Sequence, residues 1–141
     1  MGILSSSFPQ ASTFSTGLVL YMKPLLKFLD DTCAPFMVNS YPYFAYRDNP
    51  KGVSLDYVLF GHSPGVSDPK GFTYKNMLDS HIDSIYSSMV DLGHNDTIPV
   101  TVFETDWPSK GDTNDIGENP KNARNYNAES SLQISSIAMV R

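Results

Sequence analysis

Val100, Thr101, Val102 and Phe103 form a short run of β-branched and apolar residues that ends in a single carboxylate, Glu104. Such a run reads as a buried strand of a parallel sheet, where continuous apolar sequence replaces alternation. Glu104 then stands at the carboxyl end of the strand, and Pro108 forces the chain to turn soon after. Trp107, between them, offers either an apolar wall or a flat platform beside the carboxylate. In α/β barrels the strand ends that face the βα loops carry the chemistry. The bland alternative is a solvated carboxylate at the start of a loop.

A second buried-strand candidate is Phe36-Met37-Val38-Asn39-Ser40. It runs straight into Tyr41-Pro42-Tyr43-Phe44-Ala45-Tyr46, four aromatics within six residues. Large rings with polar tips suit a groove that holds flat, hydroxyl-rich rings; the same rings also suit packing at a barrel rim. Asn39 either hydrogen-bonds a ligand or satisfies the strand end.

Helical patterns flank both strands. Leu18, Tyr21, Met22, Leu25, Phe28 and Leu29 recur at helical spacing, closed by Asp30, Asp31 and Thr32; Pro24 inside the pattern implies a kink or a helix pieced from two segments. From Tyr74 to Leu92 a wide apolar stripe predicts the clearest helix, stopped by Gly93. His81 reads as a packed histidine, and Asp79, Asp83 and Asp91 as the wet face. Asn119 and Pro120 read as the cap and first residue of a further helix running through Ala123 and Tyr126. Residues 1–16 read as loop, and the tail 130–141 has no clear assignment. Residues 47–73 form a long connection in which Val53–Phe60 reads as a short alternating strand, half of a small hairpin. Strands separated by helices imply parallel pairing and βαβ units. Two strands make no ordinary parallel sheet, and a full (β/α)₈ barrel needs about 250 residues. The chain of 141 residues reads as one partial domain, a piece of such a barrel.

Composition excludes several classes. Net charge is -5, with no basic stripe to neutralise phosphates, which argues against nucleic acid. Hydrophobic residues make up 40%, a globular rather than disordered composition. The one cysteine, Cys33, cannot form an internal disulfide and reads as a small buried filler, with no histidine near it in sequence to activate a thiol. No apolar run approaches the ~18 residues of a membrane span. The N-terminus lacks the basic and apolar regions of a signal peptide. Met1-Gly2 with Ser6 fits a myristoylation pattern loosely. Asn95-Asp96-Thr97 is a formal glycosylation sequon. His62 and Asp68 lack ligand spacing, so no metal is expected.

Several segments, taken together, resemble the plant glucan endo-1,3-β-glucosidases of glycoside hydrolase family 17. They are Lys23–Leu29, Pro35–Tyr46, Ser54–Phe60, Met77–Asp83, Glu104–Asp112 and Asn119–Asn127, in one colinear order. The resemblance implies an α/β fold, a partial (β/α)₈ barrel holding roughly strands five or six to seven. It implies β-1,3-glucan as the partner, hydrolysis with retention by two glutamates, and no cofactor. Glu104 matches the nucleophile. Asn39, Tyr41, Tyr43, Phe44, Trp107 and Lys110 match the substrate groove, with Tyr41 a candidate to hydrogen-bond the nucleophile or the sugar. The family is usually secreted, to cell wall, apoplast or vacuole.

The departures are as informative. The family's acid/base glutamate lies in an Asn-Glu pair after the fourth strand, and none occurs here: Glu104, Glu118 and Glu129 are the three glutamates. The first four strands and the eighth have no counterpart. Asp106 stands where the family usually has Gly, adding a charge beside Glu104. Residues 128–141 diverge. The expectation is therefore a chain with the nucleophile and no acid/base residue, weakly active or inactive alone; the alternative is a non-catalytic glucan-binding or partner-dependent fragment.

Overall fold

A computed structural model describes residues 3–5, 11–94, 97–112 and 115–140, with 133–140 described by backbone alone. A 3₁₀ turn, Thr16–Leu18, leads into α1, Val19–Thr32. Then follow β1 (Phe36–Asn39), α2 (Pro42–Asp48), α3 (Leu55–Val58), β2 (Val66–Ser67) and β3 (Thr73–Tyr74). The last elements are α4 (Met77–Asp91), β4 (Val100–Glu104) and α5 (Pro120–Val140). Among the described residues β1 pairs with β4 and β2 with β3, and no barrel closes. The Phe36 N–H donates to Pro99 O at 2.8 Å and the Ser40 N–H to Glu104 O at 2.9 Å. Residue numbers rise together along both strands, so β1 and β4 are parallel.

The chain divides into two compact units. The first takes in residues up to Val38, Ser67–Thr73 and Asp79–Thr101; the second takes in Asn39–Val66, Tyr74–Leu78 and the chain from Val102 on. The first packs Phe14, Met22, Leu26, Phe36, Ile85, Met89 and Ile98. Here α4 presents Ser84 and Ser88, both fully buried. Each hydroxyl donates to the carbonyl one turn back, Ser84 to Ser80 O and Ser88 to Ser84 O, both at 2.7 Å. That back-bonding satisfies a hydroxyl inside an apolar layer. The second unit packs Tyr43, Tyr57, Val58, Met77, Trp107, Ala123 and Tyr126.

Several expectations change. The Val53–Phe60 run is not a strand: Leu55, Val58 and Leu59 also fit helical spacing, and adjacent Tyr57 and Val58 are both buried, unlike an alternating strand with one covered face. The hairpin sits later, at β2 and β3, so Tyr74 is a strand residue and α4 starts at Met77. Neither long strand is buried on both faces. Val100 and Val102 are half-buried, whereas Thr101 and Phe103 are exposed; Phe36 is buried while Met37 is exposed. A two-stranded sheet has one covered face, and composition alone does not say which residues face it. Cys33 is exposed and not a filler. It caps α1 in the left-handed region, φ 53°, its N–H donating to Asp30 O. Asp91 is exposed, but Asp79 and Asp83 are half-buried. Pro24 lies inside an unbroken α1, and Gly93 ends α4 with φ +94°. The tail continues α5. Asn95 of the sequon and the Met1-Gly2 and Ser6 positions lie outside the described residues.

Candidate active site

The site belongs to the second unit and grows from two strand ends. β1 finishes with Asn39, and Tyr41 follows as the residue before α2, whose first position is Pro42. Proline there fixes φ and lacks an N–H that would go unpaired anyway. β4 finishes with Glu104. The parallel ladder sets both ends at one level, and the side chains converge. Asn39 Nδ2 donates to Glu104 Oε2 at 3.0 Å, and Tyr41 Oη donates to the same oxygen. Among the described residues nothing donates to Glu104 Oε1. The carboxylate bond raises the Tyr41 pKa above its usual value of 10, reinforced by partial desolvation and by the charges of Glu104 and Asp106. Tyr41 therefore stays a donor at neutral pH.

The loop after Glu104 is held by its own bonds. Thr105 Oγ1 and Tyr126 Oη form a hydrogen bond. Burial pushes the Tyr126 pKa up to about 12, so the hydroxyl stays neutral. The Trp107 N–H donates to Asp106 Oδ1 at 2.6 Å. Trp107 Nε1 donates to Gly117 O at 2.9 Å. Asn119 caps α5, its Oδ1 accepting the Asn122 N–H at 2.9 Å.

Trp107 is 1% exposed. It meets Tyr43 edge-on at 5.2 Å and lies against Tyr126 at 5.7 Å. Of the two alternatives, apolar wall or flat platform, the burial fits the wall: Trp107 is a core ring. The rings of Tyr43, Tyr46 and Tyr126 pack around it, and the bond to Gly117 O satisfies the indole N–H in the interior. Tyr43 is also buried. Phe44 is 46% exposed, and the Arg47 guanidinium lies 4.9 Å from its ring centre. Tyr41 touches Phe44 edge-on at 5.6 Å.

Two clefts open here. One, of about 630 Å³, contains Glu104 and Tyr41 with Thr105, Asp106, Asn127 and Ser130 among its walls. The other, of about 590 Å³, has Tyr41, Tyr43, Phe44, Arg47, Lys110 and Glu118 among its walls. Of the residues expected at the site, Asn39, Tyr41 and Glu104 are in direct contact. Tyr43, Phe44 and Lys110 line the second cleft beside Tyr41. Trp107 lines neither. Sequence reasoning passed over Thr105, Tyr126, Asn127 and Ser130. Ala123, Tyr126 and Ser130, all buried, recur at i, i+3 and i+7, a pattern that could have marked this face of α5. Among the described residues no group of three or more His, Cys, Asp or Glu could hold a metal, and no helix is long and apolar enough to cross a membrane.

Known proteins are similar to this chain in sequence and in fold. The family Glycosyl hydrolases family 17 matches residues 1–137. The chain is 47% identical to glucan endo-1,3-beta-glucosidase 14 of Arabidopsis thaliana over 129 residues, 90% of this chain and 33% of that one. It is 41% identical to a glucan endo-1,3-beta-D-glucosidase of Olea europaea, covering 89% of this chain and 28% of the relative. Among solved structures it is similar to CJP38, a beta-1,3-glucanase and pollen allergen of Cryptomeria japonica. The TM-score is 0.81 at 37% identity, over 91% of this chain and 38% of that one. The chain thus spans about a third of the length of the relatives it matches. With a family match over nearly all of its residues, the chain belongs to glycosyl hydrolase family 17.

Proposed function

We propose that this chain carries the nucleophile half of a retaining β-1,3-glucanase site, on the part of a (β/α)₈ barrel that holds roughly strands five or six to seven. The observation that carries the reading is the pair of donors on one carboxylate oxygen. Asn39 and Tyr41 both hold Glu104 Oε2, which fixes the carboxylate plane and leaves Oε1 free to attack. In the first half of the reaction Oε1 bonds to the anomeric carbon, and the bond from that carbon to the leaving glucan oxygen breaks. That oxygen needs a proton, and a retaining site supplies it from a second carboxyl about 5–5.5 Å from the nucleophile. Glu118 and Glu129 lie downstream of Glu104, outside any Asn-Glu pair, so the acid/base residue comes from outside these 141 residues. General acid catalysis contributes typically 10²–10⁴-fold, and polymer hydrolysis by the chain alone is expected to be negligible.

The two halves separate experimentally. A 2-deoxy-2-fluoro-β-laminaribioside with a dinitrophenolate leaving group needs no protonation to depart. Mass spectrometry of the peptide holding Glu104 is expected to show one glycosyl adduct, absent in Glu104→Gln. No adduct, or an adduct on another residue, overturns the nucleophile assignment. Brisk laminarin hydrolysis by the isolated chain overturns the missing acid/base. Of the four rings that a non-catalytic binding fragment would use, Trp107 and Tyr43 are buried, whereas Phe44 is exposed and lines the second cleft with Tyr41.

A further inference from the structure

From the end of β4 onward the side chains alternate between core and cleft. Thr105 is half-buried and bonded to Tyr126, and Trp107 is buried. Glu104 and Asp106, two residues apart, are both exposed and line the first cleft. Asp106 lines the second cleft as well, and Tyr41 is the one other residue that both clefts share. One oxygen of this carboxylate is committed: Oδ1 accepts the Trp107 N–H at 2.6 Å, which fixes the group against its own backbone. Among the described residues no donor reaches Oδ2, and no cation pairs with Asp106. Arg47, across the second cleft, is taken up by Asp48 at 2.9 Å and by the Phe44 ring. The Asp106 charge reaches both phenols near the nucleophile. It adds to the Glu104 bond, desolvation and the Glu104 charge in raising Tyr41, and to burial in raising Tyr126. An ionised carboxylate can only accept, and ionised acceptors make the stronger hydrogen bonds. A fixed carboxylate with one unused oxygen, set where two clefts meet, is built to receive a ligand hydroxyl.

We propose that Asp106 contacts the substrate: its free Oδ2 accepts a hydrogen bond from a hydroxyl of the glucosyl unit that spans the two clefts, and so sets where the glucan lies against Glu104. The inference rests on the glucanase reading above and adds a sugar contact that orients the polymer along the site. Oδ1 stays with the Trp107 N–H throughout, so the acceptor is already in place before the sugar arrives and little side-chain freedom is lost on binding.

The probe is laminaripentaose, titrated into the full chain and followed by backbone amide NMR, with Asp106→Asn and Asp106→Ala as variants. The asparagine keeps an oxygen for the Trp107 N–H and loses the charge; the alanine loses both. Each is expected to raise Kd about tenfold, the size of one charge-assisted hydrogen bond. The Tm and the Trp107 amide shift of Asp106→Asn are expected to match the wild type. With the fluorosugar, Asp106→Asn is expected to raise the concentration for half-maximal labelling of Glu104 while the limiting rate changes by less than about twofold. Weakening in Asp106→Ala alone makes Asp106 an anchor of the loop and overturns the proposal. A changed limiting rate at unchanged half-saturation makes it an electrostatic neighbour of Glu104 and also overturns it. Wild-type affinity in both variants, or no binding by the wild type, does the same. Binding that depends on Asp106 with no adduct at Glu104 leaves the sugar contact standing and removes the nucleophile. An adduct at Glu104 in a chain whose binding ignores Asp106 does the reverse, so the two failures are distinguishable.

Discussion

At the scale of single residues, Tyr41 has the most specific task. Its hydroxyl donates to Glu104 Oε2, and the carboxylate in turn holds the phenol protonated. Tyr41→Phe removes that donor and leaves the ring against Phe44. Labelling of Glu104 by the fluorosugar is expected to slow by on the order of tenfold, one charge-assisted hydrogen bond's worth, with little change in Tm; an unchanged labelling rate would refute the positioning role. Gly117 is a residue of a different kind. Its φ is +86°, and a Cβ there would lie 2.8 Å from Tyr46 Cε1 and 3.3 Å from Trp107 Cζ2. Gly117→Ala combines left-handed strain with a clash against two packed rings and is expected to cost about 2 kcal/mol or more in a denaturant melt.

At the scale of elements, α5 shows how a local rule supports the site. Asn119 accepts the Asn122 N–H, and Asn122 Nδ2 donates to Gly117 O at 2.8 Å, the same carbonyl that receives the Trp107 indole. The start of the helix and the loop beyond Glu104 therefore share one anchor. Asn119→Ala is expected to destabilise by about 1 kcal/mol, the usual value of an N-cap. Amide exchange should quicken at the first turn of α5 before it does in α4. The cap was legible because Asn-Pro at a helix start is a purely local signal. The α3 segment was not legible, because in a run of eight apolar and polar residues periods of two and of 3.6 overlap.

At the scale of the molecule, His81 ties stability to pH. It lies half-buried on α4, and burial lowers its pKa from 6.5 to about 4. The folded chain keeps it neutral, while the unfolded chain takes up a proton below about pH 6.5. Stability is therefore present above 6.5 and is lost as pH falls from 6.5 towards 4, by up to about 3 kcal/mol. Melts of wild type and His81→Gln across that window should differ in slope, and parallel slopes would show that other groups dominate.

Local signals along the chain suffice for some elements: the α1 and α4 stripes, the Asn119-Pro120 start, the glycine stop at Gly93, and the carboxylate at the end of an apolar strand. The sequence also carried the family, because the ordered motifs survive in a stretch about a third as long as the relatives. Burial was decided by the tertiary structure alone. Whether Trp107 offers a face or fills a core depends on Tyr43, Tyr126 and Gly117 arriving from distant parts of the chain. Whether Val102 and Phe103 are both covered depends on how many layers the sheet has. Local spacing records which side of an element is apolar; which side is covered is a property of neighbours that only folding brings together.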